Sequence, residues 1–281
     1  MLYTMNDVLK EAKSKGYAVG AFNFHNQDVL EAILNAAEEL NSPVIVQTTP
    51  PYIQNLGLEV CSVMAKELIK RCKIPVVLHL DHGNSFDLAQ KCLVNGFSSI
   101  MFDGSKLPLK DNIKYTKQVC DACHALGVSV EGELGAIGGV EDNMVEGQSN
   151  NLIIPEEAQI FVEETDVDVL APAIGTAHGI YKEEPILDFA RLKKVRSLTT
   201  CYLALHGGSG LTEEQYREMI IIGINKINVG TELKLGWANT VKKAIEAGIT
   251  EPMKIRSQCL IDVREIVKNK IRIFGSENRA Q

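Results

Sequence analysis

Eight short runs rich in apolar and β-branched residues recur along the chain, at residues 18–23, 43–49, 76–82, 98–104, 129–135, 167–175, 202–208 and 226–232. Each reads as a buried strand, because a strand covered on both faces loses the apolar-polar alternation of a half-exposed one. Between most of them lies a helical pattern. In residues 28–40, for example, Val29, Leu30, Ile33, Ala36 and Ala37 repeat at helical spacing before an Asn-Ser-Pro stop. A helix in each crossover makes neighbouring strands parallel. Eight such units predict a (β/α)8 TIM barrel, an α/β fold. The open doubly wound sheet is disfavoured, since no glycine-rich dinucleotide fingerprint follows the first strand.

The 281 residues suit such a barrel as one domain over residues 1–281. Residues 1–15 read as a helix across the barrel's base, and 251–274 as a C-terminal helical extension. Residues 135–151 form a long, polar, glycine-rich segment, expected to be a lid loop at the barrel's mouth. A net charge of −7 argues against nucleic acid or an anionic membrane surface as partner. No run approaches the roughly 18 to 20 apolar residues of a membrane span, and the first residues lack a secretory pattern, so a cytoplasmic location is expected. The seven cysteines, an odd number and scattered, fit reduced thiols. Cys120-Asp-Ala-Cys123-His124 has the spacing of a haem attachment or half a zinc site, but its helical surroundings point to packing.

Chemistry concentrates where strands end. The third run closes in Asp81-His82-Gly83, the sixth leads to His178-Gly179, and the seventh closes in His206-Gly207-Gly208. Active sites of parallel barrels lie at the carboxyl ends of their strands. Three imidazoles on one rim, with a fourth position open, make a catalytic zinc arrangement that polarises a carbonyl or stabilises an enediolate. Neighbouring strand residues diverge, so Asp81 is assigned to proton transfer rather than to the ion held by His82. Asp103 and Glu133 supply further rim carboxylates, either as a buried network steadying the barrel or as ligands of a second cation. His79 is assigned to packing deeper in the barrel, His124 to an outer surface, and His25 to the neighbourhood of the site. After the seventh and eighth strands, His206-Gly-Gly-Ser-Gly and Ile227-Asn-Val-Gly-Thr offer backbone amides and hydroxyls for a phosphate.

Six segments, taken together and in order, resemble the class II, zinc-dependent ketose-bisphosphate aldolases, which include the fructose- and tagatose-bisphosphate enzymes. They are Ala21-Phe-Asn-Phe-His-Asn, His79-Leu-Asp-His-Gly, Val130-Glu-Gly-Glu-Leu-Gly with Gly138-Gly-Val-Glu-Asp, Ala173-Ile-Gly-Thr-Ala-His-Gly-Ile-Tyr, Leu205-His-Gly-Gly-Ser-Gly and Lys226-Ile-Asn-Val-Gly-Thr-Glu-Leu. The resemblance implies a TIM barrel with zinc on His82, His178 and His206, and with Asp81 and Glu141 moving protons. It places Asp103 and Glu133 near a second metal position. It assigns substrate and phosphate binding to Asn23, Thr49, Gly179, Lys182, Gly207, Gly208, Ser209, Asn228, Gly230 and Thr231. A monovalent cation, Na+ or K+, near the phosphate and a homodimer or homotetramer are also implied. The reaction would be reversible cleavage of a ketose 1,6-bisphosphate to dihydroxyacetone phosphate and an aldehyde such as glyceraldehyde 3-phosphate.

Departures from the family pattern fall on the aldehyde half of the substrate. Gly230 replaces a larger side chain, Thr48-Thr-Pro-Pro replaces a small turn, and Leu260 stands where some relatives place an arginine, with Arg256 and Arg264 nearby. A ketose 1-phosphate with another terminus, such as sulfofructose 1-phosphate, is therefore an alternative. A zinc hydrolase or epimerase and a catalytically silent aldolase-associated subunit are the others.

Overall fold

The structure is a computed structural model that describes residues 2–141, 144–146, 151–181 and 183–280. Its strands are β1 (Val19–Asn23), β2 (Val44–Thr48), β3 (Val76–Gly83), β4 (Ser99–Phe102), β5 (Ser129–Leu134), β6 (Gly138–Glu141), β7 (Met144–Glu146), β8 (Val169–Pro172), β9 (Ala177–His178), β10 (Tyr202–Leu205) and β11 (Ile224–Val229). Eight of them, β1, β2, β3, β4, β5, β8, β10 and β11, pair in parallel and close through β1 and β11 into a barrel. These are the eight runs of the sequence, and the TIM barrel is confirmed.

Alternation along the strands divides the apolar side chains between two regions. Val76, Leu78 and Leu80 point outward into the layer between sheet and helices, together with Phe22, Val46, Ile100, Val130 and Leu170. Val77 points inward and shares the barrel floor with Val19, Ile45, Val169 and Ala204. The N-terminal helix, Met5–Lys15, plugs that floor with Met5, Val8, Leu9 and Ala12. Burying each large side chain of this kind is worth roughly 1.5–3 kcal/mol. The helix begins at Met5 because Thr4 and Asp7 cap it reciprocally: Asp7 N–H donates to Thr4 Oγ1 at 3.2 Å, and Thr4 N–H to Asp7 Oδ2 at 2.8 Å.

Above the floor the interior turns polar. Gln47, His79, Asp81, Glu131, Glu133, His206 and Lys226 are fully buried there. Buried polar groups of this kind persist only when partnered, so the barrel's upper half is built from hydrogen bonds rather than apolar packing.

One expectation needs correction. Residues 135–151 were expected to be a loop, yet β6 and β7 pair antiparallel, and β6 also pairs in parallel with β9. The physical reason is that β9 leaves an open edge beside the mouth, and an extended glycine-rich strand satisfies its backbone groups. His124 lies on an outer helix and stays partly exposed, as expected, with its Nε2 2.8 Å from Asp168 Oδ2, an oxygen that also accepts the Val130 N–H at 2.7 Å. Cys120 and Cys123 are buried on the helix Leu109–His124 and all seven thiols are free, in keeping with the packing assignment. The C-terminal helix, Pro252–Phe274, lies along the helix Gln27–Glu39. Among the described residues no helix is long and apolar enough to cross a membrane.

Candidate active site

Strand β3 carries the first parts of the site. A register shift between Leu80 and Gly83 breaks its pairing with β4, and His82 adopts a left-handed backbone, φ 50°. That conformation is costly for a side chain other than glycine and is typical of functional positions. Regular alternation would send His82 outward with Leu78 and Leu80; at this break its ring instead faces His178 and His206.

Asp81 sits in a cage of amides. Its Oδ2 accepts from Asn23 Nδ2 at 2.8 Å and Gln47 Nε2 at 3.0 Å, and its Oδ1 accepts from Asn228 Nδ2 at 3.1 Å. Gln47 Nε2 also donates to Asn23 Oδ1 at 2.9 Å, which orients that amide. Three neutral donors fix the carboxylate in one plane and leave no cation paired to it among the bonds described.

His82 faces His178 and His206. Ring centroids lie 4.8 Å apart for His82 and His206, 5.0 Å for His82 and His178, and 5.9 Å for His178 and His206. One ligand atom from each of the three falls within 4.8 Å of the other two. His82 Nδ1 lies 2.8 Å from Asp103 Oδ2, and His206 Nε2 lies 2.8 Å from Glu131 Oε1. Those carboxylates assign a proton to each of these nitrogens. The opposite nitrogens, His82 Nε2 and His206 Nδ1, then turn lone pairs toward each other at 3.1 Å. Two lone pairs so placed repel each other unless a proton or a metal cation lies between them. Tetrahedral zinc, with Zn–N of about 2.0–2.1 Å, sets ligand nitrogens about 3.3–3.4 Å apart. The donor set therefore fits zinc, with carboxylates behind the imidazoles as metal-binding histidines usually have.

Electrostatics keep the imidazoles ready to ligate. Burial pushes the pKa of His206 below its ordinary value, against the pull of Glu131. Burial by itself would raise Glu131, but the Lys226 ammonium and the His206 hydrogen bond outweigh it and hold the carboxyl well below the usual range. Asp103 behaves alike: burial opposes ionisation, while hydrogen bonds from His82 and Ser105 hold the carboxyl well below its usual range. His79, placed in packing by its sequence position, is polar in its contacts. Its Nδ1 lies 2.9 Å from Ser99 Oγ and its Nε2 3.4 Å from Glu131 Oε2. Burial, with Lys226 beside it, pushes its pKa well below the imidazole value.

Asp103 and Glu133 both stand beside His82, with carboxylate oxygens 2.8 Å and 3.9 Å from its Nδ1. Asp103 orients His82, and a donor atom from each of His82, Asp103 and Glu133 also lies within 4.8 Å of the others, a set able to hold a cation in a second position.

Beside the imidazoles lies a small pocket lined by His178, Gly179, Gly207, Gly208, Ser209, Asn228, Gly230 and Thr231. Gly207 has φ 64°, and a Cβ there would stand 2.5 Å from the Ala177 carbonyl oxygen, so only glycine lets the two loops meet. Gly230 caps the 16-residue helix Thr231–Glu246, whose first turn opens on the pocket. Free N–H groups at a helix start favour an anion. The structure does not bring Asn23 or Thr49 into this lining: Asn23 is spent on Asp81, and Thr49 is buried before the helix Pro50–Leu56. Glu141 lies on β6, its side chain outside the described residues, and Lys182 is outside them altogether.

Sequence reasoning missed Gln47, Glu131, Lys226 and Tyr181. The hydroxyl of Tyr181 accepts the Ala177 N–H at 2.9 Å and donates to the Gly207 carbonyl at 2.8 Å, clamping the His178 strand to the His206 loop. For Gln47, Glu131 and Lys226 the available signal was polarity at inward-facing strand positions, two residues before a rim residue; Tyr181 lies outside the strands and carried no such signal.

Known proteins share this fold. The sequence pattern described as fructose-bisphosphate aldolase class-II matches residues 3–279. The YdjI aldolase from Escherichia coli K12 superposes with a TM-score of 0.90 at 33% identity, covering 100% of both chains. A putative fructose-1,6-biphosphate aldolase from Coccidioides immitis gives 0.91 at 27% identity, over 98% of this chain and 97% of that one. The fold is shared with fructose-bisphosphate aldolase of Campylobacter jejuni, at a TM-score of 0.81 and 22% identity, over 99% of this chain and 96% of that one. The chain belongs to the class II fructose-bisphosphate aldolase family and is an aldolase, a carbon-carbon lyase.

Proposed function

We propose that this aldolase cleaves a ketose 1,6-bisphosphate of fructose or tagatose type, reversibly and with zinc, into dihydroxyacetone phosphate and an aldehyde such as glyceraldehyde 3-phosphate. The observation that carries the proposal is the pair of imidazole nitrogens facing each other at 3.1 Å, each ring backed by a carboxylate. His82, His178 and His206 would hold the ion. When bound, zinc supplies a Lewis acid that draws electron density from the carbonyl and neighbouring hydroxyl oxygens of the ketose.

The remaining steps belong to the chain. Gly179, Gly207, Gly208, Ser209, Gly230 and Thr231 bind the phosphate through backbone amides and hydroxyls. Asn228 bridges pocket and acid: it lines the one and donates to Asp81 in the other, which supports a role for Asp81 at the sugar's central carbons. Asp81 takes the proton from the hydroxyl of the departing aldehyde half as the carbon-carbon bond opens, and returns it in the reverse direction. Glu141, by its family position, protonates the triose half, and Lys182 contributes to the phosphate site. A Na+ or K+ ion near the phosphate and homo-oligomeric assembly rest on the same family likeness.

A second reading concerns the terminus of the aldehyde half. Arg256 is engaged by Asp28 at 2.9 Å and Glu31 at 2.5 Å, and Arg264 by Glu39 at 2.8 Å. Guanidinium groups already paired with carboxylates are poor partners for the near-dianionic charge of a second phosphate, which supports a ketose 1-phosphate whose far end carries less charge, down to the single charge of a sulfonate as in sulfofructose 1-phosphate. A coupled assay of dihydroxyacetone phosphate release from fructose, tagatose and sulfofructose phosphates decides between them. Activity that survives complete metal removal would refute the zinc mechanism.

A further inference from the structure

The barrel's centre holds an ion pair shielded from bulk solvent. Lys226, on β11, and Glu131, on β5, are both completely buried, although they stand 95 residues apart in sequence. Lys226 Nζ straddles the carboxylate, 2.8 Å from Oε2 and 3.0 Å from Oε1. Oε1 also takes His206 Nε2 at 2.8 Å, and Oε2 faces His79 Nε2 at 3.4 Å, the His79 ring being turned by Ser99. Burying two charges is expensive, and a pair of this kind adds little to stability over a well-packed apolar pair. Its retention at this depth calls for another reason, and the third partner on Oε1 provides one.

We propose that Lys226 is a positioning residue for the metal centre: by pinning Glu131 from below, it holds the His206 ring with Nε2–H on the carboxylate and Nδ1 turned toward His82 and the ion. The inference rests on the reading of His82, His178 and His206 as zinc ligands. A carboxylate gripped on both oxygens has one orientation, so the imidazole above it has one tautomer and one angle. Without the ammonium, Glu131 keeps only imidazole partners and is free to rotate between His79 and His206. The ring then loses the support that such outer partners give a metal-bound histidine.

The test uses the full chain with Lys226→Met, which keeps length and removes charge, with near-ultraviolet circular dichroism to confirm folding. Zinc affinity is measured by competition with a chromogenic chelator, and ligand geometry by the visible absorption of the cobalt(II)-loaded protein. The expected result is zinc binding weakened about 10- to 100-fold, with a shifted cobalt spectrum. Glu131→Gln should weaken zinc in the same way, and the double variant should bind no more weakly than Glu131→Gln alone, because the lysine acts through the glutamate. A folded Lys226→Met protein with wild-type zinc affinity and cobalt spectrum overturns the proposal, as do losses that multiply in the double variant. Where Lys226→Met does not fold, unchanged zinc affinity in Glu131→Gln overturns it instead. A wild-type chain that holds no zinc refutes the ligand assignment itself, whereas tight wild-type binding with an indifferent Lys226→Met refutes this inference alone.

Discussion

Gly139 and His178 pair across β6 and β9 so closely that a Cβ on the glycine would stand 2.2 Å from the histidine's carbonyl oxygen. Gly139 also has φ 112°, a backbone that other residues rarely adopt. The strand carrying one of the three imidazoles is thus held in place by a residue with no side chain. Gly139→Ala should push β9 aside and weaken zinc retention roughly tenfold or more, the size typical for loss of a metal ligand's support. Metal content after dialysis checks it, and full occupancy in the variant would show that β6 does not hold His178.

Asp81 is set by hydrogen bonds separate from those of the imidazoles, so acid-base function and metal binding should separate in mutants. Asp81→Asn is expected to lower kcat by about 10²- to 10⁴-fold, the usual contribution of a positioned acid-base group, while zinc content stays at the wild-type level. One of the three amide donors would then face another amide, at a stability cost of roughly 1–3 kcal/mol. Steady-state kinetics together with metal analysis test this, and a variant that loses its zinc would place Asp81 among the ligands.

The buried network also sets how the metal-free protein responds to acid. His206, Asp103 and Glu131 all have folded-state pKa values below their ordinary ones. The unfolded chain therefore takes up protons first, the imidazole's near pH ~6.5 and the carboxylates' near pH ~4. Stability contributed by these groups is present above those values and lost as pH falls through and below them. Thermal unfolding of the metal-free chain between pH 8 and 4, a range chosen to bracket those values, should show a Tm that declines from about pH 6.5 and more steeply near the carboxylate range. A Tm that stayed level or rose on acidification would contradict the assigned protonation states.

The cysteines should be inert while the protein is folded. Burial pushes the thiols of Cys92 and Cys123 up to about 12, and those of Cys61, Cys72 and Cys201 up to about 11. Only the thiolate reacts with alkylating reagents and disulfides. Iodoacetamide at neutral pH should therefore label no cysteine of the native chain at the rate of a free thiol, and all seven after unfolding. Rapid labelling at Cys120 or Cys123 would revive the question of a ligand at that motif.

What the sequence determined by itself is the barrel and its working rim. Eight apolar runs separated by helical patterns leave little choice of topology, and a strand that ends in Asp81-His82-Gly83 carries both residues to the barrel's carboxyl rim; alternation alone would turn His82 outward with Leu78 and Leu80, and the left-handed break that brings it to the mouth is a decision of the tertiary structure. The tertiary structure decided what stands behind that rim. Alternation marks His79, Glu131 and Lys226 as inward-facing, but which inward residues share a level depends on the tilt and stagger of strands around a closed barrel, and the sequence does not carry those numbers. The pairing of β6 with β9 was hidden for a related reason. Glycine-rich extended backbone looks like a loop until another strand's open edge supplies its partners, and that edge exists only once the barrel has closed.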